Sequence, residues 1–254
     1  MLEDPYRWVE AVRNRREYLE DQLQNTSPVV ALRYVDGILL LTTTPGPRKI
    51  FEIYNEISFA SIGHPADMEK LRKVLIDIAH VEGFNLSAND VNLQRLVNFG
   101  IAPIIKEAFD DLIRSPYIAR ALLAELDPAN NGHTFYVVDP DGNFEGSNDF
   151  SAIGANESVQ KIKSYLEAYR IDSSFTIAFD KALRAWAFGR LALEDNSVVE
   201  NLSIDEKVSS YLRRELNAFR IECGVLECKA PTVSKFRLLS SDEISDIVDE
   251  LGSF

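Results

Sequence analysis

The stretch TSPVVALRYVDGILLLTTTPGPRKIFEIYNEISFASIG, residues 26–63, decides the fold. Branched and aromatic residues fill two runs, 29–43 and 49–63, and a short polar break interrupts each. Branched side chains suit a pleated surface, whereas Asp, Asn and Gly suit tight reversals, so the runs read as hairpins. The first hairpin is expected to turn through Asp36-Gly37 and the second near Asn55. Lys49 stands at the head of the second run, and the hydroxyls of Thr26 and Ser27 stand just ahead of the first. A cation and two possible nucleophiles are thus placed around one strand pair.

Outward from this stretch, residues 5–24 fit a helix whose Trp8, Val12, Leu19 and Leu23 recur at helical spacing. Pro5 is tolerated in its first turn. Two helices are expected after the hairpins. One covers 66–83, with Asp67 in its first turn and Gly83 as its C-terminal cap; the other covers 87–114, opened by Ser87 and Asp90 and kinked at Pro103. Strands are expected at 117–126, at 133–144 with the turn Asp139-Pro140-Asp141-Gly142, and at 149–153. Helices follow at 156–170 and 174–192, then a polar stretch, a closing strand pair in LNAFRIECGVLEC and SKFRLL, and a short helix at 241–251.

Two strand-rich sheets, each with a pair of helices on its outer face, make an α/β (α+β) protein of four layers, an α-β-β-α sandwich. No internal repeat, low-complexity segment or Gly/Ser/Pro-rich linker divides the chain, so 1–254 is expected to form one domain.

Composition narrows the function. The chain has 254 residues, 46% of them hydrophobic, and a formal net charge of −13, which excludes a general grip on phosphate backbones. The basic cluster RNRR at 13–16 is followed by Glu17, Glu20 and Asp21, so its charges can pair along the helix surface. Apolar runs such as ILLL at 38–41 fall far short of the roughly 20 residues of a membrane span. The opening MLEDPYRWVE lacks the basic-then-apolar pattern of a secretory leader, and a cytoplasmic protein is expected. Cys223 and Cys228 lie five residues apart in one expected strand, on opposite faces and beyond bridging distance, and read as core thiols in a reducing compartment. His64, His80 and His133 have no second ligand at helical spacing, DPDGNFEG lacks calcium-loop spacing, and no glycine-rich phosphate loop occurs. Neither metal nor cofactor is expected.

Collinear segments resemble one known family. SPVVALRYVDGILLLTT, RKIFEIYNEISFASIGHPADMEKLR, YIARALLAEL, FYVVDPDGNFEGSNDFSAIG, FRIECGVLE and KFRLLSSDEI, with AVRNRREYL in the leading helix, are similar to bacterial proteasome α-type subunits. The resemblance implies an N-terminal-nucleophile-hydrolase-type sandwich that assembles into a seven-membered ring. Such a ring caps a catalytic β ring and forms its gated entrance, here from the segment 1–25.

In the catalytic relatives a threonine is uncovered at the start of the first strand and is served by an acidic residue and a lysine. Ser27 falls at that threonine's place. It follows Asn25-Thr26 rather than glycine, and Pro28 comes next. Thr43 takes the acidic position and Ala155 that of a later serine, so Lys49 alone is matched. No catalytic residue is expected.

Lys49 has two readings. It is a strand-edge lysine that snorkels to solvent, or, as the resemblance implies, it lines a pocket between subunits. There it would meet the C-terminal carboxylate of a regulatory ATPase beside Gly63 and His64. The alternatives are a self-processing hydrolase using Ser27 or Thr26 and a scaffold ring without a β partner.

Overall fold

The computed structural model describes residues 5–111, 113–126, 134–194, 203–215 and 220–252. Residues 1–4 of the expected entrance segment, His133, and positions 216–219 of the expected closing strand lie outside the described residues.

The chain opens with α1 (Pro5–Leu23), β1 (Val29–Tyr34), β2 (Gly37–Thr44), β3 (Ile50–Tyr54) and β4 (Ile57–Gly63). Next come α2 (Pro65–Asn85), a 3-10 turn at Ala88–Asp90, α3 (Leu93–Arg95), a π-helical segment at Leu96–Ile101 and α4 (Ala102–Asp110). The strands β5 (Ala119–Glu125), β6 (Phe135–Val138), β7 (Phe144–Ser147) and β8 (Phe150–Ile153) precede α5 (Asn156–Leu166), α6 (Phe175–Leu191) and α7 (Ile204–Glu215). The described chain closes with β9 (Arg220–Glu227), β10 (Phe236–Leu238) and α8 (Ser241–Glu250).

Among the described residues the strands form two five-stranded antiparallel sheets, ordered β10-β9-β2-β1-β8 and β3-β4-β5-β6-β7. Each hairpin of the opening stretch thus goes to a different sheet. Side chains alternate across a strand, and here both faces of each central strand are buried. Val30, Leu32 and Tyr34 of β1 join Leu39 and Leu41 of β2 in a core beneath α5, α6 and α7. Val29 and Ala31 point the other way and meet Ile38, Leu40, Ile50, Ile62 and Leu122 between the sheets. Phe59, Ala121 and Leu123 pack outward under α2 and the π segment. Three apolar layers between four structural ones make the expected α-β-β-α sandwich.

Several local expectations shift. The first hairpin turns at Val35-Asp36, since Tyr34 pairs with Gly37. Gly37 serves the neighbouring strand: a Cβ there would lie 2.0 Å from the Leu226 carbonyl oxygen. Gly83 does not cap α2, which runs on to Asn85; a Cβ at Gly83 would meet the Tyr54 hydroxyl at 2.4 Å. Asn92 rather than Ser87 caps the following helix, its side chain accepting from the Arg95 N–H at 3.0 Å. The irregularity before Pro103 is the π segment, which absorbs the missing proline donor. Part of the polar stretch after α6 is the helix α7, whose Val208, Tyr211 and Leu212 are buried at helical spacing. Cys223 is buried as expected, but Cys228 lies past the end of β9 and is exposed.

The basic cluster of α1 pairs mostly across the fold rather than along the helix. Arg13 meets Glu17, but Arg16 Nε donates to Asp141, and Arg15 Nη2 donates to the carbonyls of Ala108, Asp111 and Arg114. Beneath them, the buried Arg120 of β5 donates to Glu20 at 2.5 Å, to Asp139 at 2.6 Å and to the Gly154 carbonyl at 2.7 Å. Leu19 and Leu23 are buried, whereas Trp8 remains 43% exposed, so the apolar stripe seats only the second half of α1. No helix among the described residues is long and apolar enough to cross a membrane.

Candidate functional site

The site grows from the end of the β3–β4 hairpin. Ile50 pairs with Ala60, and the Ser61 N–H donates to the Lys49 carbonyl at 3.2 Å. Lys49 therefore stands across from Ser61, with Gly63 two residues further along β4. The register brings Lys49, Gly63 and His64 to one end of the hairpin, on the route from β4 into α2.

Each of the three has a defined local role. Gly63 has φ +125°, a region that side chains disfavour, and a Cβ there would lie 2.1 Å from the Ile118 carbonyl oxygen. That same carbonyl accepts the His64 N–H at 2.7 Å. The chain thus needs glycine to turn out of β4, whatever docks beside it. His64 is exposed, and its Nδ1 accepts from the Ala66 N–H at 3.3 Å, capping α2 ahead of Pro65.

Lys49 reaches inward instead of snorkelling freely. Its Nζ donates to the Ser27 carbonyl oxygen at 2.9 Å, at the entry to β1 in the opposite sheet. Burial pushes this amine down to about 8; Glu222 opposes the fall and Arg190 adds to it. The sequence reading missed Glu222. Ile221 and Cys223 face the helices, so alternation along β9 turns Glu222 toward the space between the sheets. There its carboxylate accepts the Lys49 N–H at 3.0 Å and the Ile50 N–H at 2.7 Å, and lies 3.9 Å from Arg48 Nε. Burial pushes the Glu222 carboxyl up, against these bonds and the neighbouring cations. An acidic residue in a strand otherwise rich in buried apolar side chains was the available signal.

The hydroxyls sit differently from a working nucleophile. Ser27 lies within the chain, and its Oγ accepts from Trp186 Nε1 at 3.0 Å, with Thr42 Oγ1 3.4 Å away. Thr26 folds back on α1, its N–H and hydroxyl both donating to the Leu23 carbonyl. Thr43 is fully buried, and its hydroxyl has no hydrogen-bond partner among the described residues. Ala155 is buried at the head of α5 and offers no side-chain cap. The arrangement can present an amine to an incoming carboxylate; it holds no freed α-amine at Ser27 and no carboxylate at position 43.

The amine's environment has a measurable consequence. Between pH 8 and about 10.5 the unfolded chain binds a proton at Lys49 that the folded chain has released, so stability rises with pH across that window. Below pH 8 the full cost of the buried charge is present. The gap from the ordinary 10.5 down to about 8 corresponds to roughly 3 kcal/mol. Urea unfolding at pH 7.5 and 10 is expected to show the wild type gaining on Lys49→Met by that order. Equal gains in the two proteins would mean that the amine titrates normally.

Comparisons with known proteins bear on the fold that holds these residues. The family described as "Proteasome subunit" matches residues 24–187, from the end of α1 to within α6. "Proteasome subunit alpha" of Streptomyces avermitilis is 27% identical over 246 residues, 96% of this chain and 89% of the relative. Its counterpart from Frankia alni is 29% identical over 244 residues, 95% of this chain and 94% of the relative. That of Actinosynnema mirum is 30% identical over 179 residues, 68% of this chain and 67% of the relative. The matched segment covers well over half of the chain and holds the strands β1 to β8, and on that evidence the chain belongs to the proteasome subunit family.

Proposed function

We propose that this chain is a non-catalytic α-type subunit of a bacterial proteasome core particle. Seven copies form an outer ring in the cytoplasm. The ring templates a β ring, narrows the entrance with the residues before Trp8, and docks the C-terminal tails of a regulatory ATPase at Lys49, Gly63 and His64. The curated relatives named above are actinobacterial α subunits, and those of Streptomyces avermitilis and Frankia alni extend over almost the whole chain.

The observation that carries the reading is the way α1 is built into the sandwich. Leu23 is fully buried in the core between the sheets, and Glu20 pairs with the buried Arg120. A leader that must be cut away to uncover Ser27 is poorly served by such anchoring, whereas a permanent helix that holds an entrance segment needs it. The exposed Trp8 and Tyr18, on neighbouring sides of α1, leave apolar surface for a neighbouring subunit.

Electron microscopy of the protein co-expressed with its presumed β subunit tests this reading. Stacked rings of seven are expected, together with an intact mass showing an uncut α chain; a stable monomer that begins at Ser27 would overturn it. Deleting residues 1–7 is further expected to speed hydrolysis of a fluorogenic peptide by the reconstituted complex severalfold, because the segment before Trp8 would no longer narrow the entrance. An unchanged rate would remove the gate assignment.

A further inference from the structure

We propose that Glu222 is the positioning residue of the docking amine: reaching across from β9, its carboxylate fixes the backbone of Lys49 and holds the side chain in its charged, carboxylate-binding form. The inference rests on the reading of Lys49 as the contact for a tail carboxylate.

The geometry joins the sheets reciprocally at this point. Glu222 belongs to one sheet and accepts both N–H groups at the start of β3 in the other. Lys49 returns the contact by donating from Nζ to the Ser27 carbonyl at the start of β1. β3 and β9 are held close elsewhere too, since a Cβ at Gly224 would lie 2.7 Å from Ile50 Cγ2. A backbone gripped at two successive N–H groups has little freedom to carry its side chain away. The ammonium is therefore presented at a fixed place rather than sampled by a mobile strand edge.

The charges around Lys49 make Glu222 more than a clasp. Arg190 of α6 works against the ammonium, as burial does, and Arg48 beside it is paired toward Glu222. Glu222 is the acidic group that opposes them. Without its charge the amine would lose its proton within the neutral range, and a neutral amine offers a visiting carboxylate no ion pair.

Two measurements on the full-length protein test the proposal. Competitive acetylation with acetic anhydride, read by mass spectrometry, titrates the Lys49 amine without any ligand. The wild-type midpoint is expected at about 8. In Glu222→Gln, which keeps an acceptor oxygen but not the charge, it is expected about one pH unit lower. Glu222→Asp restores the charge and is expected to stay within about half a unit of the wild type. A Gln variant that titrates like the wild type overturns the proposal.

The second measurement is fluorescence anisotropy with a labelled octapeptide carrying a free C-terminal carboxylate, paired with its C-terminal amide. Glu222→Gln is expected to weaken the acid about threefold at pH 7.5, following the lost fraction of charged amine, and to leave the amide unchanged. Lys49→Ala distinguishes the two levels of the argument. If it binds the acid as the wild type does, the docking reading falls and this inference with it. If Lys49→Ala loses the acid while Glu222→Gln retains it, the docking reading stands and the role of Glu222 falls.

Discussion

Gly63→Ala is expected to abolish folding, or to lower stability by about 4 kcal/mol or more, placing it among the severest single substitutions. Two costs coincide. At φ +125° a side chain meets backbone strain, worth about 1–3 kcal/mol by itself. The new Cβ would also lie 2.1 Å from the Ile118 carbonyl, a backbone atom held in place because it accepts the His64 N–H. Moving it would break the junction of β4, β5 and α2. Gly46→Ala is the control, since its Cβ would meet nothing closer than the Thr44 hydroxyl at 3.6 Å, and it is expected to change stability by no more than about 0.5 kcal/mol. Thermal unfolding followed by circular dichroism compares the two. A Gly63→Ala protein that melts like the Gly46→Ala protein would show that the β4–α2 junction yields.

Arg120→Met is expected to cost about 3 kcal/mol and to loosen α1. The guanidinium is buried and satisfies two carboxylates and the Gly154 carbonyl, so its removal leaves an acceptor without a donor and two negative charges facing each other. Glu20 and Asp139 are partly exposed and can recover some hydration, which keeps the loss toward the lower end of the range for buried pairs. Glu20→Gln retains a weaker contact and is expected to cost about 1 kcal/mol. Urea unfolding measures both, and limited trypsin digestion at Arg13 and Arg16 follows the helix. Unaltered protection of those sites in Arg120→Met would show that Leu19 and Leu23 alone hold α1.

The strands Val29–Tyr34 and Gly37–Thr44 were legible as continuous runs of branched side chains, which is what burial of both faces demands. The signs that misled were glycines. Gly37 and Gly83 look like turn and cap residues, yet they answer to Leu226 and Tyr54, partners far away in sequence. The spacing Val208, Tyr211, Leu212 marks α7 and was readable, but the surrounding charge made the segment look like a loop.

At the candidate site, Lys49 was conspicuous as a cation at the head of an apolar run. What it touches was not. Ser27 stands 22 positions earlier and Glu222 173 later, so the contacts arise only when the two sheets stack. Likewise RNRR looked self-paired along α1, because the partners it takes, Asp141 and the carbonyls at the end of α4, arrive from other layers.

The pairing of residues 37–44 with residues 220–227 has a consequence for synthesis. While the chain emerges from the ribosome, β1 can close on β2 at once, but the far edge of β2 must wait until residues 220–227 have been made. Until then the segment GILLLTTT presents open main-chain donors and acceptors flanked by side chains that end fully buried, a template for pairing with other nascent chains. The sheet that carries Ser27 is therefore the last to be sealed, and the contact between Lys49 and Glu222 can form only after translation has passed β9.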